Sequence, residues 1–220
     1  MFSGRFWQLV ALMLFSNYFG TFFMYAFKTY GENKGEHEPI SDAVLTWAAS
    51  IGAGLVNGCT RLALGALLDK QGFKKLFAVL MTSQLLVSLV CYHAVNWPWL
   101  YFICILLNYM SLGGMYTIFP VCVQNVFGLE YGPQIYVWVL LGSFCASVLN
   151  TLSTLYLLPV IGFLALFYLG SVAQVITLLI LRCFEEKLDV ERLAKFNALT
   201  YTAKDQPTGQ LQVKGKPEAA

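Results

Sequence analysis

The chain reads as an all-α membrane protein with six transmembrane helices, and three observations lead there. Of 220 residues, 58% are hydrophobic and only 12% charged, about half the charged share of an ordinary soluble domain. The charges are segregated. Phe6 to Phe27 carries none, Ala43 to Leu68 only Arg61, and Leu76 to Gly128 and Tyr131 to Leu181 none. A bilayer core needs roughly 20 apolar residues in a helix rising 1.5 Å per residue, and each of these runs is long enough for one or two crossings.

The helices follow in order. The first covers about 6–28. Its apolar run exceeds the core of about 7–15 residues of a signal peptide, and further runs follow it. The second covers 43–68. The third covers about 74–95 and the fourth about 98–124, with Asn96-Trp97-Pro98-Trp99 between them. A residue before proline resists the α region, and tryptophans favour the membrane interface. The fifth covers about 133–157, with Pro133 in its first turn. The sixth covers about 160–181, and Leu158-Pro159 marks a tight turn before it.

Basic residues orient this weave. Arg5, Lys70, Lys74, Lys75, Arg182 and the tail cations fall on one side, whereas the other carries Lys28, Lys34, Glu32, Glu36, Glu38 and Asp42. The cationic side is cytoplasmic, so both termini are expected there. The plasma membrane is the default location, with an organelle membrane as the alternative. The membrane domain is expected over 1–183. Over 184–200, Phe184, Leu188, Leu193, Phe196 and Leu199 recur at helical spacing among charges, which predicts a cytoplasmic amphipathic helix. The polar stretch 201–220 is expected to be a disordered cytoplasmic tail.

Several function classes find no support. The six cysteines have no metal-type spacing, and neither metal nor cofactor is expected. No HExxH, GxSxG or P-loop occurs, so the chain is not expected to be an enzyme. The basic residues flank membrane segments, which leaves nucleic-acid binding without a surface.

Arg61 is the exception among the apolar runs. An arginine at the centre of a membrane helix costs ~2.5–3.5 kcal/mol on insertion scales. On a 3.6-residue wheel Gly54, Asn57, Gly58, Arg61 and Gly65 share one stripe. Gly54 and Gly58 form a GxxxG step that admits another helix or a ligand. Eight residues separate Arg61 from Asp69, roughly 12 Å of helix. The arginine has two readings: it caps carbonyls of a neighbouring helix, or its guanidinium holds an anionic ligand in bidentate fashion.

After Arg61 comes Gly65-x-x-x-Asp69-Lys70-x-Gly72-Phe73-Lys74-Lys75. Its spacing resembles the signature loop of the major facilitator superfamily. Asn57-Gly58-x-x-Arg61-x-x-x-Gly65-x-x-x-Asp69 further resembles the eighth helix of oxalate/formate antiporter-type and monocarboxylate transporter-like members. Leu112-Gly113-Gly114-Met115-Tyr116-Thr117-Ile118-Phe119-Pro120 resembles their tenth helix. Phe127-Gly128-x-x-Tyr131-Gly132, followed by Ile135-Tyr136, resembles the loop into their eleventh.

The resemblance implies the C-terminal six-helix half of a twelve-helix transporter, moving a small organic anion by alternating access. It implies Arg61 as the carboxylate ligand, with Asn57, Tyr109, Tyr116 and Tyr18 shaping the site. Gly65, Asp69, Lys70, Gly72, Lys74 and Lys75 would form the gating motif. It also implies a second six-helix half as partner, from a preceding segment, a separate chain or a second copy. Two positions depart from the pattern. Asn57 stands where monocarboxylate transporters often carry an aspartate linked to proton coupling. The fifth helix lacks the second cation of dicarboxylate-handling relatives, which favours a monoanion. The alternative function is a degenerate or partial half-transporter with a structural or sensing role. Tyr25, Asn17, Asn108, Asn150 and His93 are read as packing, interfacial or interhelical groups.

Overall fold

A computed structural model describes residues 4–33 and 38–186. These residues are helical and contain no strand. Five helical tracts are long and apolar enough to cross a membrane: Gly4–Gly31, Asp42–Gln71, Phe73–Ala94, Pro98–Phe127 and Gly132–Cys183. The first four are α1 to α4. The fifth has 52 residues, roughly 78 Å if straight and far more than one bilayer. It is interrupted at Gly162, whose backbone is not helical (φ 73°, ψ 176°). We call 132–157 α5 and Leu158–Cys183 α6. Both pack along α1.

The break falls three residues after the expected Leu158-Pro159 turn. Pro159 lies in the first turn of α6, where its missing N–H does no harm. Its ring would crowd the carbonyl of Leu155, and Ser153–Leu157 is opened into a π-turn. The reversal waits for Gly162, because φ in the left-handed region is accessible at little cost only to glycine.

Helix α1 is central, with 67% of its most apolar window buried, and α2 is peripheral, with 11%. Helix α1 packs against α5, α6 and α4; α4 packs against α2, α3 and α5; α3 packs against α6. Helices α2 and α5 therefore flank the inner α1–α4 pair and keep broad exposed faces. Exposed Val79, Leu86, Ile103, Val172 and Leu179 cover the outside. Such a surface requires lipid or another apolar partner.

Two aromatic-rich clusters fill the interior. One joins Phe73, Phe77 and Phe119 edge-to-face, with centroids 5.3–5.4 Å apart across the helices. The other gathers Phe19, Phe23, Tyr30, Tyr101 and Phe167. Several buried hydroxyls and amides find partners across helices, which membrane burial favours, although the side-chain oxygens of Gln84, Asn150 and Gln174 have none among the described residues. Ser88 bonds Ser171 (2.7 Å), the Asn108 amide donates to the Gly20 carbonyl (3.0 Å), and Tyr101 donates to the Phe27 carbonyl (2.7 Å).

At the end of α6 the chain turns extended at Phe184, which is fully buried against Phe73. Thus 184–186 do not continue as a helix. The remainder of the expected amphipathic helix and the expected disordered tail lie outside the described residues.

Candidate functional site

Helix α2 changes geometry just before its charged residue. Ile51–Val56 form a π-turn, and regular α-helix resumes at Asn57. Such wide turns recur at functional sites. Gly52, inside it, receives the ring of Tyr109 against its bare Cα. That close approach seats α2 on α4. It also places Tyr109 at a helix crossing nine residues from Arg61, roughly 13 Å along the axis.

Arg61 is exposed. Its Nε donates to the Asn57 side-chain oxygen at 2.9 Å. Among the described residues it forms no ion pair. The salt bridge present in that set joins Lys28 and Asp42. A guanidinium carries five N–H donors, and among the described residues only Nε is engaged. Gly54, Gly58 and Gly65 on the same stripe have open space where a Cβ would stand. The GxxxG step is thus unused within the described residues.

Across the face, Tyr116 on α4 sits between two helices. Its hydroxyl donates to the Asn17 side-chain oxygen on α1 (3.0 Å) and lies 3.0 Å from Ser143 Oγ on α5. Pro120 cannot donate an N–H to the Tyr116 carbonyl, which loosens α4 at this level. Tyr116 thus joins α1, α4 and α5, whereas Asn57, which holds Arg61, meets α4 at Gly113.

Of the sequence-predicted site residues, Arg61 and Asn57 are brought together on α2, and Tyr116 bonds instead to α1 and α5. Tyr18 is nearly buried, its hydroxyl paired with Ser153 Oγ at 2.9 Å, so it ties α1 to α5. Tyr109 is at the crossing described above. Ser143 and Tyr136 were not among the candidates. Their seven-residue spacing, continued by Ser147 and Asn150, places a polar stripe on one face of α5, and that periodicity is visible in the sequence.

The residues of the loop from Gly65 to Lys75 divide their roles. Gly72 makes the turn between α2 and α3 with φ 74°. The side chains of Asp69, Lys70 and Lys75 bond to none of the described residues. Lys74 donates to the carbonyl oxygens of Phe184 (2.6 Å) and Arg182 (3.4 Å). It caps the end of α6, the end of the helix dipole that favours a cation. A shallow apolar concavity of about 490 Å³ lies elsewhere, between Gly4, Trp7, Leu179 and Cys183. It lacks converging polar groups.

Among the described residues no cluster of His, Cys, Asp or Glu could hold a metal ion. Arg61 is thus an exposed cation held by Asn57, on a stripe of glycines with open space beside them. No protein-family model matches the chain, and no curated protein matches it.

Proposed function

We propose that the chain is one wall of a secondary transporter that moves a small organic monoanion across a membrane by alternating access. The observation that carries this reading is the Arg61 guanidinium, exposed on a long apolar helix, bonded through Nε alone and lacking an acidic partner among the described residues. A carboxylate supplied by the cargo compensates that charge with two charge-assisted hydrogen bonds. One cation without a second favours a monocarboxylate over a dianion.

In this reading α5 and α6 are separate crossings that meet at Gly162. The chain then has six spans in the manner of a major-facilitator half, with both ends in the cytoplasm. The open α2/α5 face meets a second six-helix unit, and the cargo lies between them near the midplane. Asn57 holds the arginine, Tyr116 and Ser143 form the neutral rim, and the loop from Gly65 to Lys75 gates. The one-sided site also suits the second reading, a partial half-transporter with a sensing role.

Counterflow separates the two. Membrane vesicles containing the chain are preloaded with unlabelled anion and given labelled lactate, pyruvate, formate or oxalate. The expected result is chain-dependent accumulation of a monocarboxylate in excess of oxalate. Absence of accumulation for all four, with the chain present in the membrane, contradicts transport.

A further inference from the structure

Asn57 does more than neighbour Arg61. Its side chain lies on the bare Cα of Gly113 in α4. A Cβ built there would stand 2.6 Å from Asn57 Oδ1, 2.9 Å from Cγ and 3.0 Å from the backbone oxygen. The first two are closer than a real methyl group tolerates, and the third is tight. That same Oδ1 accepts the Arg61 Nε–H at 2.9 Å. Gly113 is itself buried within the α4 core face. Three residues on two helices thus form a short relay: an absent side chain makes room, an amide fills it, and the amide fixes the guanidinium.

We propose that Gly113 is a positioning residue for Arg61, acting through Asn57. With Nε occupied, the side-on fork of Nε and one Nη is closed to a ligand. The guanidinium presents its Nη–Nη edge to the space beside Gly58 and Gly65. A carboxylate then docks end-on. Restricting the long arginine side chain before binding also lowers the ordering cost at the moment of association. The end-on docking rests on the transport reading, whereas the relay does not.

The test reads the guanidinium itself. The chain has four arginines: Arg5, Arg61, Arg182 and Arg192. With ¹⁵N-arginine in nanodiscs they give four Nε–H signals, and the signal absent from Arg61→Lys identifies Arg61. Its hydrogen exchange is expected to be about tenfold slower than in Asn57→Ala, the protection of one net hydrogen bond. Gly113→Ala should lose that protection, and Gly113→Ala with Asn57→Ala should lose nothing more. Gly114→Ala is the control, because its crowding falls on Leu64 and Leu80 and not on Asn57; it should keep the protection.

Protection that survives Gly113→Ala, or that is lost equally in Gly114→Ala, overturns the relay. So does an Arg61 signal in the native chain that exchanges as fast as in Asn57→Ala. Pyruvate titration is read on the same samples. A perturbed Arg61 signal supports end-on docking. A silent titration with the protection pattern intact supports the relay and contradicts the transport reading alone.

Discussion

Arg61→Gln is expected to lower anion affinity about a hundredfold or more while leaving the folded chain at its normal level in the membrane. Two charge-assisted hydrogen bonds are worth about 1.5–3 kcal/mol each, and each 1.4 kcal/mol is a factor of ten. Glutamine keeps a polar side chain but loses the charge and the paired donors. Folding should hardly register the change, because Arg61 is exposed and its one hydrogen bond among the described residues is to Asn57, a turn away on its own helix. Exposed substitutions away from special features usually fall within about 0.5 kcal/mol. Equilibrium binding of labelled monocarboxylate, alongside the membrane level of the variant, checks both halves. A variant that fails to accumulate would make Arg61 a structural residue.

The second large effect concerns folding. At Gly142, where α5 crosses α1, a Cβ would meet the Val10 carbonyl oxygen, the Leu14 nitrogen at 3.0 Å and Met13 Cβ at 3.0 Å. Two of these are backbone atoms and cannot rotate away. Gly142→Leu should therefore cost about 3 kcal/mol, the upper end of ordinary overpacking, and separate α5 from α1. Gly58→Leu has nothing within 4 Å of its new Cβ and should leave stability unchanged. It places a bulky group beside Arg61, however, and should suppress anion binding. Thermal unfolding in detergent with and without monocarboxylate distinguishes the pair. Equal losses of stability would mean that the Gly58 face is packed.

The helices were legible because each rests on a strong signal. A charge-free run of more than 20 residues has few outlets besides a membrane span, and Trp97-Pro98 ends one helix and begins the next. The reversal near residue 160 was displaced because proline and glycine compete there: Pro159 tolerates a first turn, whereas Gly162 alone can reverse the chain. The π-turn at 51–56 left no mark beyond its glycines. Arg61 and Asn57 are four apart on one helix, and their contact follows from helical spacing alone. Tyr109 and Tyr116 share a face by the same rule. Yet the wheel does not say that one ring is taken up by Gly52 while the other reaches Asn17 and Ser143. Those outcomes depend on which helix lies opposite, and one sequence carries little of that. The Ser143 stripe lay within reach of periodicity. The seat of Asn57 on Gly113 did not, because it requires knowing how α2 meets α4.

The decisive measurement asks whether the Arg61 face is wet. Cys59, Cys145 and Cys183 are replaced by serine, since each is at least partly exposed, and Gly58→Cys places one thiol a turn from Arg61. Thiols react as thiolates, which form in water and not in hydrocarbon. A membrane-impermeant thiosulfonate should modify this cysteine, and lactate or pyruvate should slow the reaction in the presence of Arg61 but not with Arg61→Gln. Labelling by a lipid-soluble maleimide alone, unaffected by any anion, would place the guanidinium against lipid and contradict a transport site there.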